Sequence, residues 1–357
     1  MGITQKDIAR ELKISLISVN RAFNNSGYVS AKLKKRILDY AEKRSYVPHR
    51  ASQVLVRNKT RTIAVFSSTG PEYFWNDINK GVLNAAEHIK PFNYEVRYHR
   101  IPDFDTKKYI RVLQEELNNG LDAAAFVNQQ IYNMDDIIGT VEKAEIPYLL
   151  FNTDSPESRR LCYIGADYRS GGRLAANFIG KSLCVKPRAR VLVIGINEDE
   201  RCAVNPDINA ERLRGFMEVM NGQYPRISCQ IEYNSVMSKM GMDDQIGGLL
   251  EKYEHRVDAV YFIHAHNASF LKGLGRFDYG KAITLLHDVD DSALRSLDSQ
   301  LLTAVVYQDP VLQGYTAVRT LEHILESKTR ERLRDIEIAH TLIFRENTQF
   351  LRTPYPK

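Results

Sequence analysis

Hydrophobic positions along the chain follow two different periods. Before about residue 45 they recur at helical spacing. Ile8 and Leu12 share one face of a helix near residues 5–12, and Val19 points inward from a second helix that Ser15 caps and that runs to about Phe23. Leu33, Ile37, Tyr40 and Ala41 line a third helix capped by Ser30. Thr4 with Asp7 three residues on reads as a capping box with Asp in place of Glu, and Asn24, Asn25, Ser26 and Gly27 read as a loop. Helices this short are unstable alone, so the three must share a core.

From Thr60 the pattern changes to short apolar strands alternating with helices. The strands are "TIAVFSS", "YEVRYH", "DAAAFVN", "PYLLFN", "RVLVIGI", "CQIEY", "VDAVYFIH", "AITLLHD" and "TAVVYQD", with a last one around 337–344. Helical patterns fall at "NDINKGVLNAAEHI" and near 105–119, 134–144, 168–183, 209–221, 243–253, 267–274 and 310–327. Alternation of this kind builds parallel sheets covered on both faces. About eleven strands exceed one small sheet and predict two lobes. The expected fold is an all-α helix-turn-helix head joined to an α/β two-lobed body.

Composition adds one decisive feature. Hydrophobic residues at 43% and charged residues at 26% are those of a soluble globular chain, and 357 residues suffice for two or three domains. No apolar run approaches the roughly 20 residues of a membrane span, and "MGITQKDIAR" lacks a signal peptide's apolar segment, so a cytoplasmic protein with no membrane partner is expected. Cys162, Cys184, Cys202 and Cys229 have no CxxC spacing and read as scattered reduced thiols. The charge is uneven: residues 1–60 carry 13 Lys and Arg against 4 Asp and Glu, whereas the rest is mildly acidic. A basic folded head on an acidic body points to a polyanion partner. The chain contains no G-x-G-x-x-G, Walker A or G-x-S-x-G motif, and "SGGRLAANFIG" is too loose for a phosphate loop, so no enzyme is expected.

"ITQKDIARELKISLISVNRAFNNSGYVSAKLKKRILDYAEKRSYVPHRASQVL" resembles the head of the lactose-repressor (LacI) family of bacterial transcription regulators. The resemblance rests on the D-I-A helix, the S-x-x-[ST]-V-x-R recognition helix, "N…VS" before the third helix and Y-x-P-x-R after it. It implies a DNA-binding domain over residues 1–47 and a hinge helix with linker over 48–60. The recognition helix would lie in the major groove, with Arg21 the candidate for guanine contact. Leu16 and Ile17 would offer apolar contact to base edges or, alternatively, pack on the rest of the head. Thr4, Ser15, Ser18, Asn20, Asn24, Tyr46, Arg50 and Ser52 complete the candidate DNA contacts. Leu55 would be a minor-groove wedge, or else a leucine buried in the linker.

The body resembles the periplasmic sugar-binding-protein fold that this family carries as its effector domain. The resemblance spans 61–350, with lobe one at 61–165 and 309–333 and lobe two at 166–308 and 334–350. Ligands would sit where the strand ends of the two lobes face each other. Phe74 and Trp75 in "GPEYFWND" fall where relatives place stacking aromatics, with a core role as the alternative for Trp75. Asn152 and Asp154 in "FNTD", Arg212 in "NAERLRGF", Asp288 in "LHDVDD" and Gln308 in "VVYQDP" are the further candidates. Asp167 reads as a helix cap. His264 and His266 stand where relatives have an Asn-Asp pair. With His287 they could form a metal site, but satisfied histidines or effector contacts are preferred, and neither metal nor cofactor is expected. The expected effector is a sugar or sugar acid, with a nucleobase or other non-sugar metabolite as the alternative. The histidines with Arg212 suggest a cation-rich cleft and hence an effector carrying a carboxylate or phosphate, such as a sugar acid. The expected protein is a homodimeric repressor of operator DNA, an activator being the alternative; "FLRTPYPK" provides no leucine-heptad tail for tetramers.

Overall fold

The computed structural model describes residues 3–24, 29–44, 46, 60–102, 105–129, 133–196, 208–234, 241–263, 267–279 and 281–352. The chain divides into two units, Met1–Arg61 with Ile89–Glu95 and Thr62–His88 with Val96–Lys357.

The first unit contains three short helices, α1 (Gln5–Leu12), α2 (Leu16–Asn24) and α3 (Ala31–Lys43). Each begins on a side-chain cap, which satisfies backbone N–H groups left open by the missing preceding turn. Thr4 Oγ1 accepts from Asp7 N at 3.2 Å while Asp7 Oδ2 accepts from Thr4 N at 3.0 Å, closing the expected box. Ser15 Oγ accepts from Ser18 N at 3.1 Å and Ser30 Oγ from Leu33 N at 3.3 Å. Ile8, Val19 and Ile37 are fully buried at the centre, with Ala9, Leu12, Ala22 and Ala41 around them. Burying three such side chains stabilises by roughly 1.5–3 kcal/mol each, which explains why none of the helices stands alone.

In the body, the strands are β1 (Arg61–Ser68), β2 (Tyr94–Ile101), β3 (Ala123–Phe126), β4 (Tyr148–Phe151), β5 (Tyr163–Gly165), β6 (Arg190–Ile196), β7 (Ser228–Asn234), β8 (Ala259–Phe262), β9 (Ile283–His287), β10 (Ala304–Tyr307), β11 (Ile336–Glu337) and β12 (Thr341–Ile343). Between them run α4 (Glu72–Ile89), α5 (Thr106–Asn118), α6 (Met134–Lys143), α7 (Tyr168–Leu183), α8 (Ile208–Gln223), α9 (Met242–Tyr253), α10 (Asn267–Leu274), α11 (Asp291–Asp298) and α12 (Pro310–Ser327). Among the described residues the strands make two six-stranded sheets, ordered β11-β5-β4-β3-β1-β2 and β12-β10-β9-β8-β6-β7. Strands such as Ala123–Phe126 and Ala259–Phe262 are buried along their whole length, as parallel strands covered by helices on both faces must be.

The chain crosses between the sheets three times: from β5 into α7, from β10 into α12 (which packs back on β3, β4 and β5), and from β11 to β12. Ile336 and Glu337 pair with Ile164 and Gly165, so the chain leaves the first sheet after Glu337, later than the expected 333. The single last strand expected at 337–344 is divided between the two sheets, and Thr341–Ile343 runs antiparallel to β10. Three-residue β5 lacks a periodic signal of its own and is set by its parallel pairing to β4.

Candidate functional site

On the head, α2 presents two faces. Leu16 is partly buried and packs on the core with Phe23 and Tyr46, the packing alternative of the two readings. Ile17 is 61% exposed and so is available to a partner. Arg21, one turn further along the same face, is exposed too. Asn20 is half-buried, and Ser15 and Ser18 share a 2.9 Å hydroxyl contact at the helix start. Thr4 caps α1, and the Tyr46 ring lies 5.4 Å from that of Phe23. Asn24 ends α2, but its side chain lies outside the described residues, as do Arg50, Ser52 and Leu55.

In the body, polar side chains gather where strands end. Asn152 follows β4 and Asp288 follows β9, and both adopt left-handed backbone, φ 63° and 65°. Asn and Asp tolerate that region better than other non-glycine residues. It turns the chain sharply, and both side chains are buried. Asp288 Oδ2 accepts from Arg212 Nη2 at 3.2 Å and its Oδ1 accepts from Gln308 Nε2 at 2.8 Å. Arg212, carried by α8, also donates from Nη1 to the Ile263 carbonyl at 3.0 Å and lies 5.6 Å from the Tyr168 ring centre. Gln313 Nε2 donates to the Gln308 carbonyl at 2.9 Å, and Asn152 Nδ2 to Gln313 Oε1 at 3.4 Å. Asn152, Arg212, Asp288 and Gln308 are therefore brought together in one buried chain that reaches from the end of β4 to α8.

Among the described residues, several buried polar atoms in this region have no hydrogen-bond partner. They include the Tyr73 hydroxyl, Arg212 Nε, Asn267 Oδ1 and His287 Nδ1. Buried polar atoms without partners are rare in folded proteins and mark places where a ligand or water completes the set. Burial and the Asp288 and Asp290 carboxylates push the Tyr73 phenol well above its ordinary value, so it stays a neutral hydroxyl. A groove of about 1150 Å³ beside Tyr73 is lined by Asn76, Lys80 and Asn84 of α4 and by Asp290 and Ser292 from the other lobe.

The aromatic pair expected to stack on ligand does not have that place. Trp75 is only 2% exposed and its Nε1 donates to the Gly70 carbonyl at 2.8 Å; Phe74 packs edge-on against it. The helical period explains why. Trp75, Ile78, Val82, Ala85 and Ile89 form the buried stripe of α4, whereas Tyr73, Asn76, Lys80 and Asn84 form the groove-facing stripe. That period was present in the sequence and would have selected Tyr73.

Asp154 is also engaged elsewhere: Arg160, almost wholly buried, donates from Nη2 to its Oδ2 at 2.6 Å and from Nη1 to Asp335 at 2.6 Å. His264 and His266 lie outside the described residues. His287 is fully buried with Nε2 2.6 Å from the Tyr261 hydroxyl, and burial, with Arg212 nearby, pushes its pKa well below the usual imidazole value. His340, in the third crossing, is pushed down to about 4 for the same reasons. Both imidazoles are neutral at pH 7, which removes His287 from the expected cationic set. Asp167 caps α7 as expected, accepting from Arg169 N and Ser170 N. Among the described residues no group of three or more His, Cys, Asp or Glu is placed to hold a metal, and no helix is long and apolar enough to cross a membrane.

The periplasmic binding protein domain family matches residues 63–329. Over 351 residues, 98% of this chain and 100% of the relative, the sequence is 23% identical to the HTH-type transcriptional regulator RegA of Clostridium saccharobutylicum. The chain belongs to the LacI family of helix-turn-helix transcription regulators. Its body has the periplasmic-binding-protein fold and holds the effector site. A solved structure described as a LacI transcriptional regulator from Bacteroides fragilis superimposes with a TM-score of 0.70 at 17% identity, covering 82% of this chain and 99% of that one. The sugar-binding protein of a Bacillus halodurans sugar transporter superimposes at 0.69 and 21% identity, covering 81% and 99%. The relative that spans this LacI-family chain is a transcription regulator.

Proposed function

We propose that this regulator is a homodimeric cytoplasmic repressor whose hold on operator DNA is set by a neutral, polyhydroxylated effector of the sugar class. The observation that carries the effector class is the buried Arg212–Asp288–Gln308 set facing the unpartnered Tyr73 hydroxyl. A carboxylate, a guanidinium, amides and a phenol offer donors and acceptors in the mixture that sugar hydroxyls need. Arg212 is already neutralised by Asp288, and His287 and His340 are uncharged, so the balance among the described residues favours a neutral ligand over a sugar acid. The fold shared with the Bacillus halodurans sugar-binding protein supports the same class.

For DNA, Ile17 and Arg21 are the pair with the exposure and spacing for base contact, Ile17 to a thymine methyl and Arg21 to guanine. Thr4, Ser15, Ser18, Asn20, Asn24 and Tyr46 are assigned to positioning on the backbone, with Arg50, Ser52 and Leu55 in the hinge. The deciding experiment is calorimetric titration of the full-length protein with neutral aldoses and their corresponding acids. It is followed by selection of operator sequences from a random pool with and without the sugar that binds. Tighter binding of the acid would overturn the neutral assignment, and enrichment of no DNA sequence would overturn the operator reading.

A further inference from the structure

We infer that Gly171 and Gly172, in the "SGGR" stretch that matched no phosphate loop, form a steric node coupling the effector arginine to the chain crossings between the two sheets. The two residues lie in the first turn of α7, which starts directly after the first crossing. A Cβ at Gly172 would fall 1.9 Å from the Arg212 carbonyl oxygen and 3.0 Å from Phe216 N, both backbone atoms of α8. The contact is reciprocal: a Cβ at Gly215 would fall 2.0 Å from the Arg169 carbonyl oxygen. The backbones of α7 and α8 therefore touch at the residue whose side chain holds Asp288. Beside it, a Cβ at Gly171 would fall 2.7 Å from His340 Nε2 and 3.0 Å from its Cε1.

His340 belongs to the third crossing, between β11 and β12, and its ring lies edge-on to His287 at 6.4 Å. One turn of helix thus abuts the backbone of Arg212 on one side and the third crossing on the other, while itself continuing the first crossing. Packed backbones have no slack to absorb a shift. A displacement of α8 caused by ligand at Arg212 must carry α7, and with it two of the three crossings. This inference rests on the effector reading for what moves α8, but the node itself is a matter of steric fit.

The test uses the full chain carrying G171A, G172A, H340A, the double variant G171A/H340A, and G222A as control. Gly222 lies on the same helix as Arg212 with nothing within 4 Å of its would-be Cβ. Thermal unfolding without ligand is expected to show G171A and H340A each lowering the midpoint, and the double variant lying well above their sum, because the smaller side chain at 340 admits the added methyl. Hydrogen exchange is expected to rise at 165–168 and 338–341 in G172A and to stay unchanged in G222A. With D-glucose and D-arabinose as probes, G172A should lose affinity by about ten-fold or more. Additive loss in the double variant, or equal exchange in G172A and G222A, would overturn the node whatever the ligand. Absence of heat with both sugars in the unaltered protein would instead count against the effector reading, leaving the ligand-free outcomes to decide the node.

Discussion

Replacing Asp288 with asparagine tests the buried pair at the centre of the site. Arg212 and Asp288 have side chains only 3% and 8% exposed, and their N···O distance is 3.2 Å. At that separation two unit charges attract by about 5 kcal/mol at an effective dielectric of about 20. Removing both from water offsets much of that, so the intact pair adds little net stability. Breaking it is different. D288N leaves the guanidinium buried with only the Ile263 carbonyl as a charge-accepting partner, and an amide nitrogen must face one of two donors, Arg212 or Gln308. The expected cost is about 3–5 kcal/mol. R212M should cost a similar amount by stranding the carboxylate, and the double variant R212M/D288N should cost less than the sum by roughly 2–3 kcal/mol. Urea unfolding followed by circular dichroism and by Trp75 emission measures all four corners of the cycle. Strict additivity would refute the reasoning, because it would mean that the two charges do not feel each other and that the site is not preorganised by their pairing.

Tyr73→Phe should weaken effector binding several-fold in calorimetry while leaving thermal stability equal or slightly raised, because the hydroxyl it removes has no partner among the described residues; a large loss of stability would show that the hydroxyl is structural. Arg21→Ala should weaken specific operator binding by about 1–3 kcal/mol, and unchanged affinity in an anisotropy titration would contradict base contact. Stability should fall with acidification below about pH 6.5, since His287 and His340 stay neutral when folded but take up protons when unfolded. Their contribution is complete above the unfolded imidazole value and is lost as pH drops toward the depressed folded values, down to about 4 for His340. Melting curves from pH 7.5 to 4.5 check this, and H340Q should flatten the slope; a slope of opposite sign would contradict buried neutral imidazoles.

Legibility in the sequence followed the strength of local signals. Helices α1, α7 and α12 begin and end where their caps and apolar spacing place them, because Thr4, Asp167 and Asp309 act within a few residues of themselves. Arg212 on α8 and the strand-end residues Asp288, Gln308 and Asn152 were candidates through the family resemblance, and the structure brings their side chains together. The ion pairing of Asp154 was not legible, because Arg160 joins it to Asp335 only through the tertiary fold, Asp335 coming from the far side of two crossings. Trp75 was misread for a different reason: its residue type suggested stacking, while its place in the helical period put it in the core. Gln313 and Asn267 carried no sequence signal at all. Their roles arise from amides brought against the Gln308 carbonyl and the carbonyls of His287 and Asp288.

On the proposed effector reading, the left-handed backbone at Asn152 and Asp288 limits how this regulator could acquire a new effector. At those two positions glycine, asparagine and aspartate carry the least strain, so many other substitutions there would cost stability. The helical positions opposite, Tyr73, Asn76, Lys80 and Asn84, carry no such restriction. Divergence of specificity among relatives, and any laboratory selection for a new inducer, should therefore accumulate changes on α4 more readily than at Asn152 and Asp288.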